Sequence, residues 1–153
     1  MKEKHVLAFM KVAEVFADLS TARRLQVGAI VVKDQRIISI GYNGTPTGWS
    51  NECEEYYTMI GENGERFIES KTRPEVLHAE MNAITKLAKS PESSEGSVMF
   101  TTHAPCLDCA KAIYQSGIRS VIYKNEYRSD DGISFLNTCG VVVEKMGETY
   151  GSN

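Results

Sequence analysis

The stretch SVMFTTHAPCLDCAKAIYQSGIRSVIYK, residues 97–124, reads as strand, helix, strand. SVMFTT is apolar and rich in strand-forming residues. Pro105 suits a helix start, where its fixed φ fits and its missing N–H costs nothing. CLDCAKAIYQSG then runs as a helix to Gly117, a natural C-cap, and SVIYK returns to strand chemistry. Two strands joined by one helix in so few residues point to an α/β domain.

The neighbouring segments extend that pattern. Downstream, Ser129-Asp130-Asp131 can cap a helix over residues 133–138 that Gly140 closes, and VVVEK forms a last strand. Upstream, HAEMNAITKLAKS predicts a helix from about Leu77 to Lys89, with Ala79, Ala83, Ile84 and Leu87 as its buried stripe. VGAIVVKDQRIISIGYN predicts two strands with a tight connection at Lys33-Asp34-Gln35-Arg36. Val6, Phe9, Met10, Ala13, Phe16 and Ala17 recur at helical spacing and predict a first amphipathic helix. Between Asn43 and Glu75 regular signals fade among glycines, prolines and the aromatics Trp49, Tyr56, Tyr57 and Phe67; a short helix over Cys53–Ile60 fits there. A loop-rich stretch of this length in a small domain usually serves function. The expectation is one domain over residues 1–153: three layers, α/β/α, around a central mixed sheet of about five strands.

Composition narrows the function. The 153 residues carry 20 acidic and 17 basic side chains, a formal net charge of -3. A protein that wraps DNA or RNA needs a basic surface, so a long polynucleotide ligand is disfavoured, whereas a single nucleotide needs only local cations. Lys11, Glu14 and Asp18 break the apolar run of the first helix, so no clean signal peptide is read. No stretch is apolar and long enough for a membrane span. The expected location is the cytoplasm, the host's if the source is viral.

Four residues carry chemistry. His78-Ala79-Glu80 is followed, 25 residues on, by Pro105-Cys106-Leu107-Asp108-Cys109. Catalytic zinc takes three protein ligands and keeps a fourth position for water. Cys106 and Cys109, three apart on one helix, share a face, and a first-turn position favours thiolate. His78, placed in the first turn of the other helix, can meet the same metal. Glu80, two residues further on, can stand beside the water and move protons without ligating. Cys53 and Cys139 read as packed thiols, His5 as solvated, Trp49 as a loop anchor, and His103 as either pocket wall or structural.

With Leu25-Gln26-Val27-Gly28-Ala29, Gly41-Tyr42-Asn43-Gly44-Thr45-Pro46, His78-Ala79-Glu80-Met81-Asn82-Ala83 and Ala104-Pro105-Cys106-Leu107-Asp108-Cys109, the chain resembles the deoxycytidylate deaminases of the zinc-dependent cytidine deaminase superfamily, whose His-x-Glu and Pro-Cys-x-x-Cys signature it carries. The resemblance implies hydrolysis of dCMP to dUMP and ammonia, with Glu80 catalytic and one Zn²⁺ per chain on His78, Cys106 and Cys109. It implies substrate contacts from Asn43, to the sugar hydroxyl, from the Ala79 N–H, to the pyrimidine carbonyl, and from Tyr127. The phosphate-binding cation stays open among Arg128, Lys89, Lys86, Arg23 and Arg24. A homohexamer is further implied, activated by dCTP, with Mg²⁺ on the triphosphate, and inhibited by dTTP near Arg24, Gly44 and Thr45. Between Glu54 and Leu77 the chain lacks Cys and His, so a second, structural zinc is not expected.

Overall fold

A computed structural model describes residues 1–147 and 150. The chain forms α1 (Glu3–Ala17), β1 (Gly28–Lys33), β2 (Arg36–Tyr42), β3 (Glu54–Ile60), β4 (Arg66–Thr72), α2 (Ala79–Leu87), β5 (Val98–His103), α3 (Leu107–Gln115), β6 (Ser120–Asn125), α4 (Asp131–Thr138) and β7 (Val142–Lys145). Five strands make one mixed sheet in the order β2-β1-β5-β6-β7. β1 pairs antiparallel with β2 and β5, while β5, β6 and β7 run parallel. Asp34 and Gln35 both take positive φ, +49° and +60°, which gives the two-residue turn whose twist matches a hairpin.

Alternation along the strands builds the layers. Ile30, Val32, Phe100 and Ile122 face Val6, Met10 and Ala13 of α1. Ala29, Val31, Met99 and Val121 face the other way, onto Ala79, Ala83 and Leu87 of α2 and Ala110 and Ile113 of α3. Leu136 of α4 joins that second layer. β1 is therefore buried on both faces and reads as a continuous apolar run rather than an alternating one. The three-layer α/β/α arrangement matches the expectation from sequence.

The segment 53–60 is not a helix. β3 and β4 form a separate antiparallel hairpin, with Tyr56-Tyr57-Thr58-Met59-Ile60 supplying aromatic and β-branched residues that favour extended backbone, and Gly64 at φ +80° closing its turn. Both active-site helices also begin later than the sequence suggested. Leu77 exchanges two backbone hydrogen bonds with Gly44, which holds residues 77–78 extended and makes His78 the N-cap of α2. Ala104 donates to the Asn125 carbonyl, prolonging the strand pairing, so Pro105 lies outside α3 and Cys106 is its N-cap.

Two glycines let helices approach closely. A Cβ at Gly41 would stand 2.2 Å from the Ala79 carbonyl oxygen, so β2 must lack a side chain where α2 starts. A Cβ at Gly132 would stand 2.0 Å from the Pro105 carbonyl oxygen, where α4 crosses the turn into α3. Asn82 Nδ2 donates to Tyr42 O at 3.0 Å and Ser39 Oγ to Ala83 O at 2.7 Å, fastening α2 to β2. Among the described residues no helix is long and apolar enough to cross a membrane.

Candidate active site

The carboxyl ends of β5 and β6 and the start of β1 meet at one edge of the sheet, where open α/β sheets usually bind ligands. A cleft of about 410 Å³ opens there, within the usual range for small-molecule sites. His78, Ala79, Glu80 and Cys106 lie on one wall, and Arg24, Leu25, Asn43 and Glu54 are among the residues lining the rest, with Tyr127 and Arg128. The first amides of α2, that of Ala79 among them, have no intrahelical acceptor, and Ala79 lines the cleft.

Three ligand atoms converge. His78 Nδ1 lies 3.5 Å from Cys106 Sγ and 3.4 Å from Cys109 Sγ. A tetrahedral zinc at about 2.0–2.1 Å from nitrogen and about 2.3 Å from sulfur sets those atoms roughly 3.6 Å apart. Among the described residues this is the group of His, Cys, Asp and Glu side chains close enough to share a metal, with all ligand atoms within 4.8 Å of one another. The donor set, one imidazole nitrogen and two sulfurs, suits zinc and leaves a fourth position to solvent.

In the zinc-free chain, proton affinities at the site follow from burial and contact. The Cys109 thiol, donating to the Cys106 sulfur, and then the His78 imidazole hold Cys106 down to about 4. Cys109 is pushed up, first by that shared proton and then by its own burial. His78 is raised chiefly by Cys106. Glu80 is almost wholly buried, which pushes its carboxyl up to about 7, a value poised for proton transfer near neutrality. Glu80 Oε2 lies 3.8 Å from Cys109 Sγ, beside the ligands.

The remaining candidates divide by position. Tyr127 and Arg128 line the cleft, with the Arg128 guanidinium 5.4 Å over the Tyr127 ring. Asn43 also lines it, but its amide is engaged: Oδ1 accepts from the Val27 N–H and Nδ2 donates to the Leu25 carbonyl, both at 2.8 Å. These bonds fix the 25–27 segment and leave one lone pair and one N–H of Asn43 for a ligand. Lys89 is not brought to the cleft. It follows α2 at the end opposite His78, and Lys86 is occupied by the Ile40 carbonyl and the Tyr42 ring. Arg24, named both for a regulatory site and among the open phosphate cations, lines the cleft. Gly44 sits behind it, bonded to Leu77, and Gly44 and Thr45 are not among the lining residues.

Glu54 was missed by sequence. It is a buried carboxylate at the start of β3 whose Oε1 accepts the N–H groups of Arg23 and Arg24 at 2.8 and 3.1 Å. No motif marks it, because its segment reads as loop. His103 lines the cleft, lowered by burial, with Nδ1 3.0 Å from Thr102 Oγ1. Trp49, read as a loop anchor, is largely exposed.

Residues 3–125 match the model of the family described as the cytidine and deoxycytidylate deaminase zinc-binding region. The chain belongs to that family. It is similar to a solved dCMP deaminase of the cyanophage S-TIM5, in complex with dCMP and dUMP: 50% identity, TM-score 0.84, covering 95% of this chain and 99% of that one. It is 33% identical to the deoxycytidylate deaminase of Enterobacteria phage T2 over 93% of this chain and 96% of that protein. It is 35% identical to the human deoxycytidylate deaminase over 90% of this chain and 77% of that protein.

Proposed function

We infer that this chain is a zinc-dependent dCMP deaminase, converting dCMP and water to dUMP and ammonia. One observation carries the reading: a single cleft is lined by His78, Cys106, the buried Glu80, Arg24 and Arg128, and buried Cys109 completes the ligand group with His78 and Cys106. The likeness to a dCMP deaminase solved with dCMP and dUMP supports the substrate.

Bound zinc supplies a Lewis acid that acidifies a water held at the open position. The chain's own residues do the rest. Glu80 takes a proton from the attacking water and passes it to the ring nitrogen N3, as the water oxygen bonds to C4. Glu80 then takes the remaining hydroxyl proton and delivers it to the amino group. The C4–N bond breaks, ammonia departs and the C4 carbonyl forms. Burial of Glu80 keeps bulk water from competing for these protons. The Ala79 amide is suited to the pyrimidine carbonyl oxygen and Asn43 to the sugar. Arg24 or Arg128, beside Tyr127, supplies the phosphate cation, in place of Lys89.

Residues 1–153 act as one catalytic unit in this reading, in the cytoplasm and in a homo-oligomer. Control by dCTP, with Mg²⁺, and by dTTP belongs to it as well, supported by resemblance alone.

A deamination assay tests the substrate. Charge-assisted hydrogen bonds contribute roughly 1.5–3 kcal/mol, so kcat/KM should favour dCMP over deoxycytidine by at least about tenfold. Arg24→Ala and Arg128→Ala should identify the phosphate contact by which of them erases that preference. Equal rates on the two substrates contradict phosphate recognition.

A further inference from the structure

A loop from Asp18 to Val27 joins α1 to β1, and its residues 21–27 belong to no helix or strand. The backbone N–H groups of Arg23 and Arg24 therefore have no ladder to join. Both go to one atom. Glu54 Oε1 accepts them at 2.8 and 3.1 Å, which uses both lone pairs of that oxygen. Glu54 is only 3% exposed, although glutamate is seldom buried unless its charge is answered. It also lines the cleft that has to hold a phosphate in the proposed reaction. A carboxylate there repels that phosphate, so its presence calls for a compensating task.

The surrounding bonds define that task. Glu54 opens β3, and its backbone is tied down: Arg73 Nε donates to the Glu54 carbonyl at 3.3 Å and the Arg73 N–H to the Cys53 carbonyl at 2.9 Å. Asn43 fastens the same loop further along, at Leu25 and Val27. Arg24 stands between these two fastenings. Its Nη1 donates to the Ser70 carbonyl at 2.9 Å, and its other guanidinium N–H groups meet no protein acceptor among the described residues. Arg24 thus has a fixed backbone, a tethered head and free donors, and it lines the cleft. Arg128, stacked on Tyr127, has no comparable tether among the described residues. A cation held in place before the substrate arrives loses less freedom on binding it.

We propose that Glu54 is a positioning residue for the substrate phosphate: by clamping the Arg23 and Arg24 amides it sets the Arg24 guanidinium where the phosphate of the nucleotide docks. This role rests on the dCMP reading and adds to it the choice of cation and the residue that aims it; the clamp itself does not depend on that reading. Reach decides the role rather than charge. What the loop needs is an acceptor oxygen at this distance, which glutamine also supplies. Aspartate draws the oxygen back by one C–C bond, roughly 1.5 Å. Hydrogen bonds already 2.8 and 3.1 Å long do not survive that retreat.

Steady-state kinetics on dCMP and deoxycytidine, beside hydrogen exchange of the Arg23 and Arg24 amides, test this. In the native chain both amides should exchange slowly. In Glu54→Asp they should exchange faster, and KM for dCMP should rise at least about tenfold with kcat little changed. The preference for dCMP over deoxycytidine should fall by the same factor. Glu54→Gln should keep slow exchange and hold that preference to within a few-fold. In an Arg24→Ala background, Glu54→Asp should cost no further preference, because one chain of contacts carries both effects. A Glu54→Asp chain with the native preference, whatever its overall rate, overturns the role. So does a Glu54→Gln chain that loses the preference, or losses that add in the double variant. Fast exchange in the native chain overturns the clamp. A native chain that does not deaminate dCMP refutes the dCMP reading and the role of Arg24 with it, while exchange still judges the clamp.

Discussion

Glu80→Gln should keep zinc and fold yet lose deamination by about 10²–10⁴-fold or more, the usual worth of a positioned proton-transfer group. Glutamine fills the same volume beside Cys109 but neither accepts the water's proton nor returns it to the amine. The loss should fall on kcat, because Glu80 acts on the reacting atoms and not on the phosphate. The same variant has a signature in stability. In the zinc-free chain burial raises the Glu80 carboxyl from 4.5 to about 7. A raised carboxyl contributes stability that is complete below its unfolded value and disappears as pH climbs through the folded one. Between those limits the native zinc-free chain should lose about 3 kcal/mol relative to Glu80→Gln, which cannot titrate. Denaturant unfolding of both zinc-free proteins at pH 5 and pH 8 measures this. A constant difference across that range contradicts the buried-carboxyl account, and retained turnover removes Glu80 from the proton path.

Cys109→Ala should abolish zinc binding and activity together. Cys109 is buried and faces both His78 and Glu80, so no surface residue can replace its sulfur. Two remaining ligands hold zinc poorly, and the Lewis acid they would carry is worth several kcal/mol of transition-state stabilisation, so activity should drop by at least about a thousandfold. Chelation of the native chain should reproduce the loss, and added zinc should restore the native chain but not the variant. Metal analysis beside the dCMP assay reads both. A variant with full zinc occupancy would mean that the thiolate pair is not the metal's anchor.

The sequence revealed the chemistry more fully than the geometry of the loops. His78, Glu80, Cys106 and Cys109 announce themselves because zinc and proton transfer demand particular atoms at particular spacings. The strands and helices of the main sheet announce themselves through periodicity, since each packs an apolar face on a common core. Helix starts were displaced by a residue or two, because the Gly44–Leu77 bridge and the Ala104–Asn125 bond are long-range contacts that no local pattern encodes. The hairpin was unreadable for a related reason. Its apolar residues sit exposed on both faces, so neither alternation nor helical spacing stands out. Glu54 was lost with it, and Lys89, one of the cations left open, lies beyond the end of α2 opposite His78. Arg24 lines the cleft, the position its candidacy as a phosphate cation requires.

X-ray absorption at the zinc edge of the purified chain reads the coordination shell itself. About one zinc per chain is expected, with two sulfur neighbours near 2.3 Å and two nitrogen or oxygen neighbours near 2.0 Å, one of them exchangeable with solvent. Three or four sulfur neighbours, or a metal closed entirely by side chains, would contradict it.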